Sequence, residues 1–304
     1  MKNKVHLLGG KLPIWAVGAS LILFGLLAYA PYISSGFAAD DFIFINMIEG
    51  ATPYNPWLGF WSVPVNDYQG FTQLSWLSPE GAGAFLRPLP SWTLTGLYNL
   101  FGRNALPYHI TSTLIHALGA LAAFLVLRRL SNCDVPALLA AVLFLICEDH
   151  GMTVAWIATI TDLMCALFLN LAFWSHITAR ENHQPWRFGL SILLFLAALG
   201  SKETAAIYPI MIAVYEFLFA EKLSFGDMQD QGKRVTCRER IKLFVRHWWS
   251  WGIPLAIFAA YLIFYRSLFP PVGGLMYIDP FTQPLQYAFR ALPNLPVMFV
   301  ALLT

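Results

Sequence analysis

The sequence predicts an all-α polytopic membrane protein, with about eight transmembrane helices and short interfacial helices in one large outer loop near its start. Three observations carry that expectation. Hydrophobic residues make up 58% of the chain and charged residues 12%, about half the charged share of a soluble domain. Mean hydropathy is +0.58, and the apolar runs reach the roughly 17–25 residues needed to cross a bilayer. Threaded with its N-terminus inside, the chain also places most of its basic residues on one side.

The first span runs from Leu12 to Tyr32, behind Lys2, Lys4 and Lys11. Ala28-Tyr29-Ala30 offers the small-residue pattern of a cleaved signal peptide, but Pro31 follows at once and more spans come later, so it reads as an uncleaved helix. Further spans are expected near 108–127, 135–147, 156–178, 187–200, 205–220, 248–266 and 286–304, those at 135–147 and 187–200 being short. Of the 19 Lys and Arg, this threading leaves only Arg87, Arg103, Lys202, Arg266 and Arg290 outside. The acids distribute the other way: Asp40, Asp41, Glu49, Asp67, Glu80, Glu148, Asp149, Asp162, Glu203 and Asp279 fall on or near the outer face. Chemistry is therefore expected on that face.

Residues 1–304 read as one transmembrane domain, which ends inside an apolar run, VMFVALLT, and is expected to be incomplete or short at its C-terminus. The outer loop, 33–107, interleaves Pro53, Pro56, Pro64, Pro79, Pro88 and Pro90 with Trp57, Trp61, Trp76 and Trp92. That mixture suits short helices lying in the interface. The segment 221–247 reads as a basic cytoplasmic connection. A net charge of +2 makes no electrostatic case for nucleic acid. Cys133, Cys147, Cys165 and Cys237 lie outside the outer loop without metal-like spacing, which argues against a disulfide framework or a zinc site.

The most informative residues are Asp40 and Asp41, in SGFAADDFIFINMIEG just past the first span. Adjacent carboxylates at a membrane are costly unless they face water or a polar site. On a helix, neighbours diverge by about 100°, so one can act while the other caps or bonds. Asp40 suits a general base toward an acceptor hydroxyl; the plainer alternative is that the pair begins a helix at the interface. Lys202 in GSKET stands between two apolar spans, where an idle charge is costly. It suits a leaving phosphate, or else an ion pair with Glu203 or Asp162. Arg87 in FLRPLPSW is a second cation of this kind, or a surface anchor. Glu148, Asp149 and His150, with Asp162 further on, contain the donors for a divalent cation, though a solvated turn is the better reading. His109 and His116, seven apart, share a helix face and read as buried polar contacts between helices. The metal question is left open at this stage.

Four segments, taken in order, resemble the GT-C superfamily of polytopic glycosyltransferases, in particular its protein O-mannosyltransferase-like and related bacterial membrane branches. They are AADDFIFIN, the stretch FLRPLPSWTLTGLYNLFGRNALPYHITSTLIHALGALAAFLVLRRL, then HGMTVAWIATITDLMCALFLNLAF, and SKETAAIYPIMIAVYEF, together spanning roughly residues 15–220. The family segment before VAWI usually carries His-Pro and a further acid; here Cys147, Glu148 and Met152 stand in those places and only His150 fits. The resemblance implies a GT-C-like fold and an inverting transfer from a polyprenyl-phosphate sugar. It makes Asp40 the base and Asp41 its neighbour, with Lys202 and Arg87 near the donor phosphate. His150, Asp162, Glu203, His109 and His116 would support the site.

The expectation is an integral membrane glycosyltransferase acting at a periplasmic or luminal face, its partners being the lipid-linked donor, membrane lipids, and an acceptor protein, glycan or lipid. Short loops and compact length favour a bacterial inner membrane over the endoplasmic reticulum, with the N-terminus cytoplasmic. A glycolipid transporter would instead distribute polar groups near the bilayer midplane in paired, broken halves. A non-catalytic scaffold or assembly protein would make the aspartates structural.

Overall fold

Proline and glycine punctuate the apolar sequence, and the helices start and stop around them. The computed structural model describes residues 12–50, 63–64, 82–83, 86–219, 236–268, 283–289 and 292–293. Helix α1 spans Ile14–Ala28 and is followed by the single turn α2, Ala30–Ile33, and by α3, Asp41–Ile48. Then come α4, Pro88–Phe101, α5, Leu106–Ser131, α6, Asp134–Ile146, and α7, Asp149–Ala155. A 3₁₀ turn, Ile157–Thr159, leads into α8, Ile160–Glu181, and α9, Pro185–Leu199. A second 3₁₀ segment, Glu203–Ile207, leads into α10, Tyr208–Leu218; α11, Cys237–Arg246, and α12, Trp248–Leu268, follow. Apart from a two-residue antiparallel pairing of Val63–Pro64 with Ala82–Gly83, these elements are all helical.

Proline occupies the first positions of α2, α4, α5, α9 and α10. There its missing N–H costs nothing and its fixed φ suits the helix. Helix α4 ends at Gly102, whose φ of 54° a side chain would resist.

Among the described residues, three helices are long and apolar enough to cross a membrane: Leu106–Ser131, the segment Ile157–Glu181, and Trp248–Ser267. The pair α6 and α7 makes a fourth if its 61° bend is counted within one span. The sequence led to an expectation of eight spans, and the difference has a local cause. The first apolar run, 12–32, divides at Tyr29, so that α1 has 15 residues and rises about 22 Å against a hydrocarbon core of about 30 Å. Helix α9 also has 15 residues and α10 has 11. The eighth expected span, 286–304, lies mostly outside the described residues, as do most of the outer loop and residues 220–235. Two short helices, α3 and α4, do stand in the described parts of 33–107. The connection read as 221–247 is helical from Cys237 onward: Thr236 Oγ1 accepts from Glu239 N, and Glu239 Oε2 accepts from Thr236 N at 2.8 Å. TCRE carries this capping box openly.

Helix α5 is the hub, packed against α1, α6 and α8, while α8 and α9 form a tight antiparallel pair. Leu21, Phe124 and Leu145 fill the interface of α1, α5 and α6. Ile177, Phe195, Tyr208 and Ile212 fill that of α8, α9 and α10. Outside, Leu23, Leu27, Leu139, Leu143, Leu193, Ile210 and Ile263 are exposed, an apolar exterior suited to lipid rather than water.

At the bend between α6 and α7 the carbonyl of Leu145 lies in a last helical turn and lacks an intrahelical partner. Tyr29 Oη donates to it at 2.7 Å, and His116 Nε2 lies 3.1 Å away. The break after α1 is thereby tied to the break after α6. A second polar knot joins α8 to α10: Glu216, 2% exposed, accepts from Arg180 Nε at 2.7 Å and meets His176 Nε2 at 3.0 Å. The Arg180 guanidinium also lies over the Trp249 ring of α12 at 5.3 Å.

Candidate active site

The two aspartates do different work. Asp41, 1% exposed, opens α3 and accepts from Ala38 N at 3.0 Å and from Ala158 N at 2.7 Å. It therefore fastens α3 to the 3₁₀ turn that starts α8. Burial pushes its carboxyl up to about 6, against the opposing pull of these backbone donors and with a small further push from Asp40. Asp40 precedes the helix, half-buried, and its side chain caps nothing. Burial raises its carboxyl too. Between them, Phe37 and Phe44 pack on Tyr108 and the α4–α8 contact.

The loop into this pair is held from α5. His109, 1% exposed, meets Ser35 Oγ at 3.2 Å and the Gly36 carbonyl at 3.4 Å. Ala39 takes φ of 46°, a left-handed conformation costing about 1–2 kcal/mol for a residue with a side chain. The His109 and Asp41 contacts on either side keep it there.

The carboxylate of Asp41 has a consequence for stability. Its folded pKa of about 6 lies above its ordinary value of 3.8. The group's contribution is complete below pH 3.8 and is lost as pH rises through about 6. Thermal melts in detergent from pH 4 to 7 are expected to show this decline in the wild type and not in Asp41→Asn. The variant leaves one backbone N–H facing an amide N–H, which costs about 1–3 kcal/mol at low pH.

Arg87, Asp162, Lys202 and Glu203 come together around the turn between α9 and α10. Leu89 N donates to Gly200 O at 3.2 Å, which pins the start of α4 to that turn. Arg87 then grips Glu203 with Nη2 to Oε2 at 2.7 Å and Nε to Oε1 at 3.2 Å. Lys202 Nζ contacts both oxygens of Asp162, at 2.5 and 2.6 Å. The side chains of Asp162 and Lys202 are 39% and 23% exposed, so the pair is accessible. Asp162 stands one turn beyond Ala158, the residue bonded to Asp41, which puts the aspartate loop and the ion-pair turn on the same end of α8.

Beside this turn lies a cavity of about 350 Å³, lined by His116, Phe144, His150, Thr153, Asp162, Cys165 and Thr204, with Leu163, Leu169 and Ile207 among its apolar walls. His116 and His150 meet edge to face, 5.2 Å between centroids. His109 does not join them. Although it shares a helix with His116, it serves the aspartate loop. Glu148 and Asp149 are exposed on the bend, and His150 Nδ1 is bonded to Phe144 O at 2.8 Å. Among the described residues no three His, Cys, Asp or Glu side chains gather as ligands for an ion. Asp162 and Glu203 are each paired with a cation, Lys202 and Arg87. The residues that the sequence reading passed over are Glu216, His176 and Arg180; the glutamate in YEF was visible, but its partners lie 36 and 40 positions away.

The fold and this end of α8 define a helical, membrane-type protein with polar groups clustered at one end of an apolar bundle. Residues 85–228 match the family model described as dolichyl-phosphate-mannose-protein mannosyltransferase. The match takes in Arg87, both helical histidines, Asp162, Lys202 and Glu203, while Asp40 and Asp41 precede it. The chain is also similar to the Protein O-mannosyl-transferase Tmtc1 of Drosophila melanogaster, 29% identical over 193 residues, which is 62% of this chain and 21% of that protein. It thus spans about a fifth of the length of the curated relative it matches. No solved structure matches significantly.

Proposed function

We propose that the chain carries the catalytic end of a glycosyltransferase that moves a sugar from a polyprenyl-phosphate donor to a hydroxyl on the outer face of a membrane, with inversion at the anomeric carbon. The observation that carries this reading is the division of labour between the aspartates. Asp41 is consumed by two backbone donors, whereas Asp40 has no hydrogen bond to cap with and stands at the mouth of the same loop. Asp40 takes the proton of the acceptor hydroxyl as its oxygen attacks the anomeric carbon. The bond from that carbon to the phosphate oxygen breaks, and the polyprenyl phosphate departs with the electron pair. Lys202 and Arg87 balance the charge that develops on it.

The same reading keeps eight membrane crossings, counting the shorter apolar helices, with the N-terminus cytoplasmic and a bacterial inner membrane as the setting. The acceptor is a protein, glycan or lipid hydroxyl. Because Asp41, Asp162 and Glu203 are engaged by backbone and cations, a chelator is expected to leave transfer unchanged.

The test is sugar transfer in membranes from a panel of radiolabelled polyprenyl-phosphate sugars, comparing wild type with Asp40→Asn and Asp41→Asn at equal expression. Transfer by the wild type that disappears in Asp40→Asn supports the reading. Transfer that survives both substitutions overturns it. Absence of transfer from every donor, with the protein intact, favours a scaffold.

A further inference from the structure

We propose that Asp162 is a built-in stand-in for the departing phosphate: it occupies Lys202 until the sugar leaves and gives it up to the polyprenyl phosphate monoester that transfer releases. The proposal rests on the reading of Lys202 as a phosphate-binding cation and adds how that cation is kept ready in an apolar bundle.

The argument begins with cost. A lysine between apolar helices with no counter-ion loses much of its hydration, and that favours its neutral form. Asp162 removes the difficulty, presenting both carboxylate oxygens to Nζ at 2.5 and 2.6 Å. Arg87 is held in a different way, by a forked contact to Glu203, and its side chain is only 11% exposed. The two pairs are therefore unequal. The Arg87–Glu203 fork ties α4 to the turn beside Gly200 and is the less accessible. The lysine pair, with Asp162 39% exposed, is open to exchange, since ion pairs of this accessibility are worth only about 0–1 kcal/mol.

The released carboxylate has somewhere to go. Asp162 lines the cavity of about 350 Å³, together with Thr153, Thr204 and His150. The Thr153 and Thr204 hydroxyls can donate to a carboxylate that has left Lys202. Its exchange partner is stronger once the sugar has left: the sugar-linked donor is a diester with a single charge, but the polyprenyl phosphate released by transfer is a monoester carrying about −1.5 to −2 charge and three acceptor oxygens at neutral pH, against one charge and two oxygens on Asp162. Asp162 also stands one helical turn from Ala158, which Asp41 holds. Release of Lys202 would thus be felt on the element that braces the aspartate loop.

The competition predicts the opposite sign from an ordinary binding-site mutation. Farnesyl phosphate serves as the probe, titrated into purified protein in detergent with binding read calorimetrically. Asp162→Asn is expected to tighten binding about 5- to 10-fold, and Asp162→Ser to do the same. Lys202→Gln is expected to weaken it at least 10-fold, and the gain from Asp162→Asn is expected to vanish in the Lys202→Gln background. Tightening that persists in that background overturns the stand-in, because it shows a general field effect. Asp162→Asn and Asp162→Ser that melt at the wild-type temperature but bind no more tightly also overturn it, leaving Asp162 as a plain staple between α8 and the turn. Lys202→Gln that binds as well as wild type sinks the phosphate role of Lys202 itself, a failure distinct from the other two.

Discussion

Asp40→Asn is expected to lower the rate of sugar transfer by about 10²- to 10⁴-fold, the range that a positioned general base contributes. Asn keeps the shape and cannot accept the proton, and Asp40 makes no cap bond that the substitution would break, so the melting temperature is expected to stay at the wild-type value. Asp41→Asn should behave in the contrary way, with a smaller loss of rate accompanied by a loss of stability, because its two backbone acceptor contacts are structural. The pH profile separates the two further. Burial raises the Asp40 carboxyl above its ordinary value of 3.8, so wild-type activity rises with pH along a limb displaced above the usual carboxylate range. Asp40→Asn lacks that limb in whatever activity it retains. A variant that keeps the limb and more than a tenth of the rate would falsify the assignment of the base.

The second large effect lies at the other end of α8. Glu216→Ala is expected to destabilise the protein by about 3–5 kcal/mol, read as a fall in melting temperature in detergent. The removed carboxylate leaves Arg180 and His176 without the acceptor that each has at 2.7 and 3.0 Å, in a setting where Glu216 is 2% exposed. An unpaired buried cation is the costly state, not the absence of the pair. Arg180→Met combined with Glu216→Met is therefore expected to recover most of the loss, since apolar groups of similar volume replace buried ion pairs at little cost. The recovery will be incomplete to the extent that Arg180 also sits on Trp249. A double variant no more stable than Glu216→Ala would show that the knot contributes more than charge pairing.

The sequence read alone was strongest where physics is local. Apolar runs announce helices for lipid, and proline at a helix start announces its boundary, as at Pro88, Pro107, Pro185 and Pro209. The resemblance to GT-C glycosyltransferases was legible in the motifs themselves, and the family match over 85–228 agrees with its last three segments, while AADDFIFIN lies before the match. TCRE was an N-cap in plain view, yet the basic composition around it drew the reading toward a loop.

Other features depend on pairs of residues far apart in the chain. The helix break at Tyr29 was not visible, because hydropathy does not sense the contact that fixes Tyr29 Oη on Leu145 O, 116 positions later. The partner of Lys202 was left open between Asp162 and Glu203; the fold chose Asp162, and gave Glu203 to Arg87. Two adjacent aspartates are chemically alike on paper. Only the approach of Ala158, brought by the start of α8 to the start of α3, makes one of them a bolt, while the other caps nothing. Composition and periodicity determined that this chain folds as helices in lipid. Which buried charges are satisfied, and by which partner, was decided by packing, because the cost of a buried charge depends on the partner that the fold delivers to it.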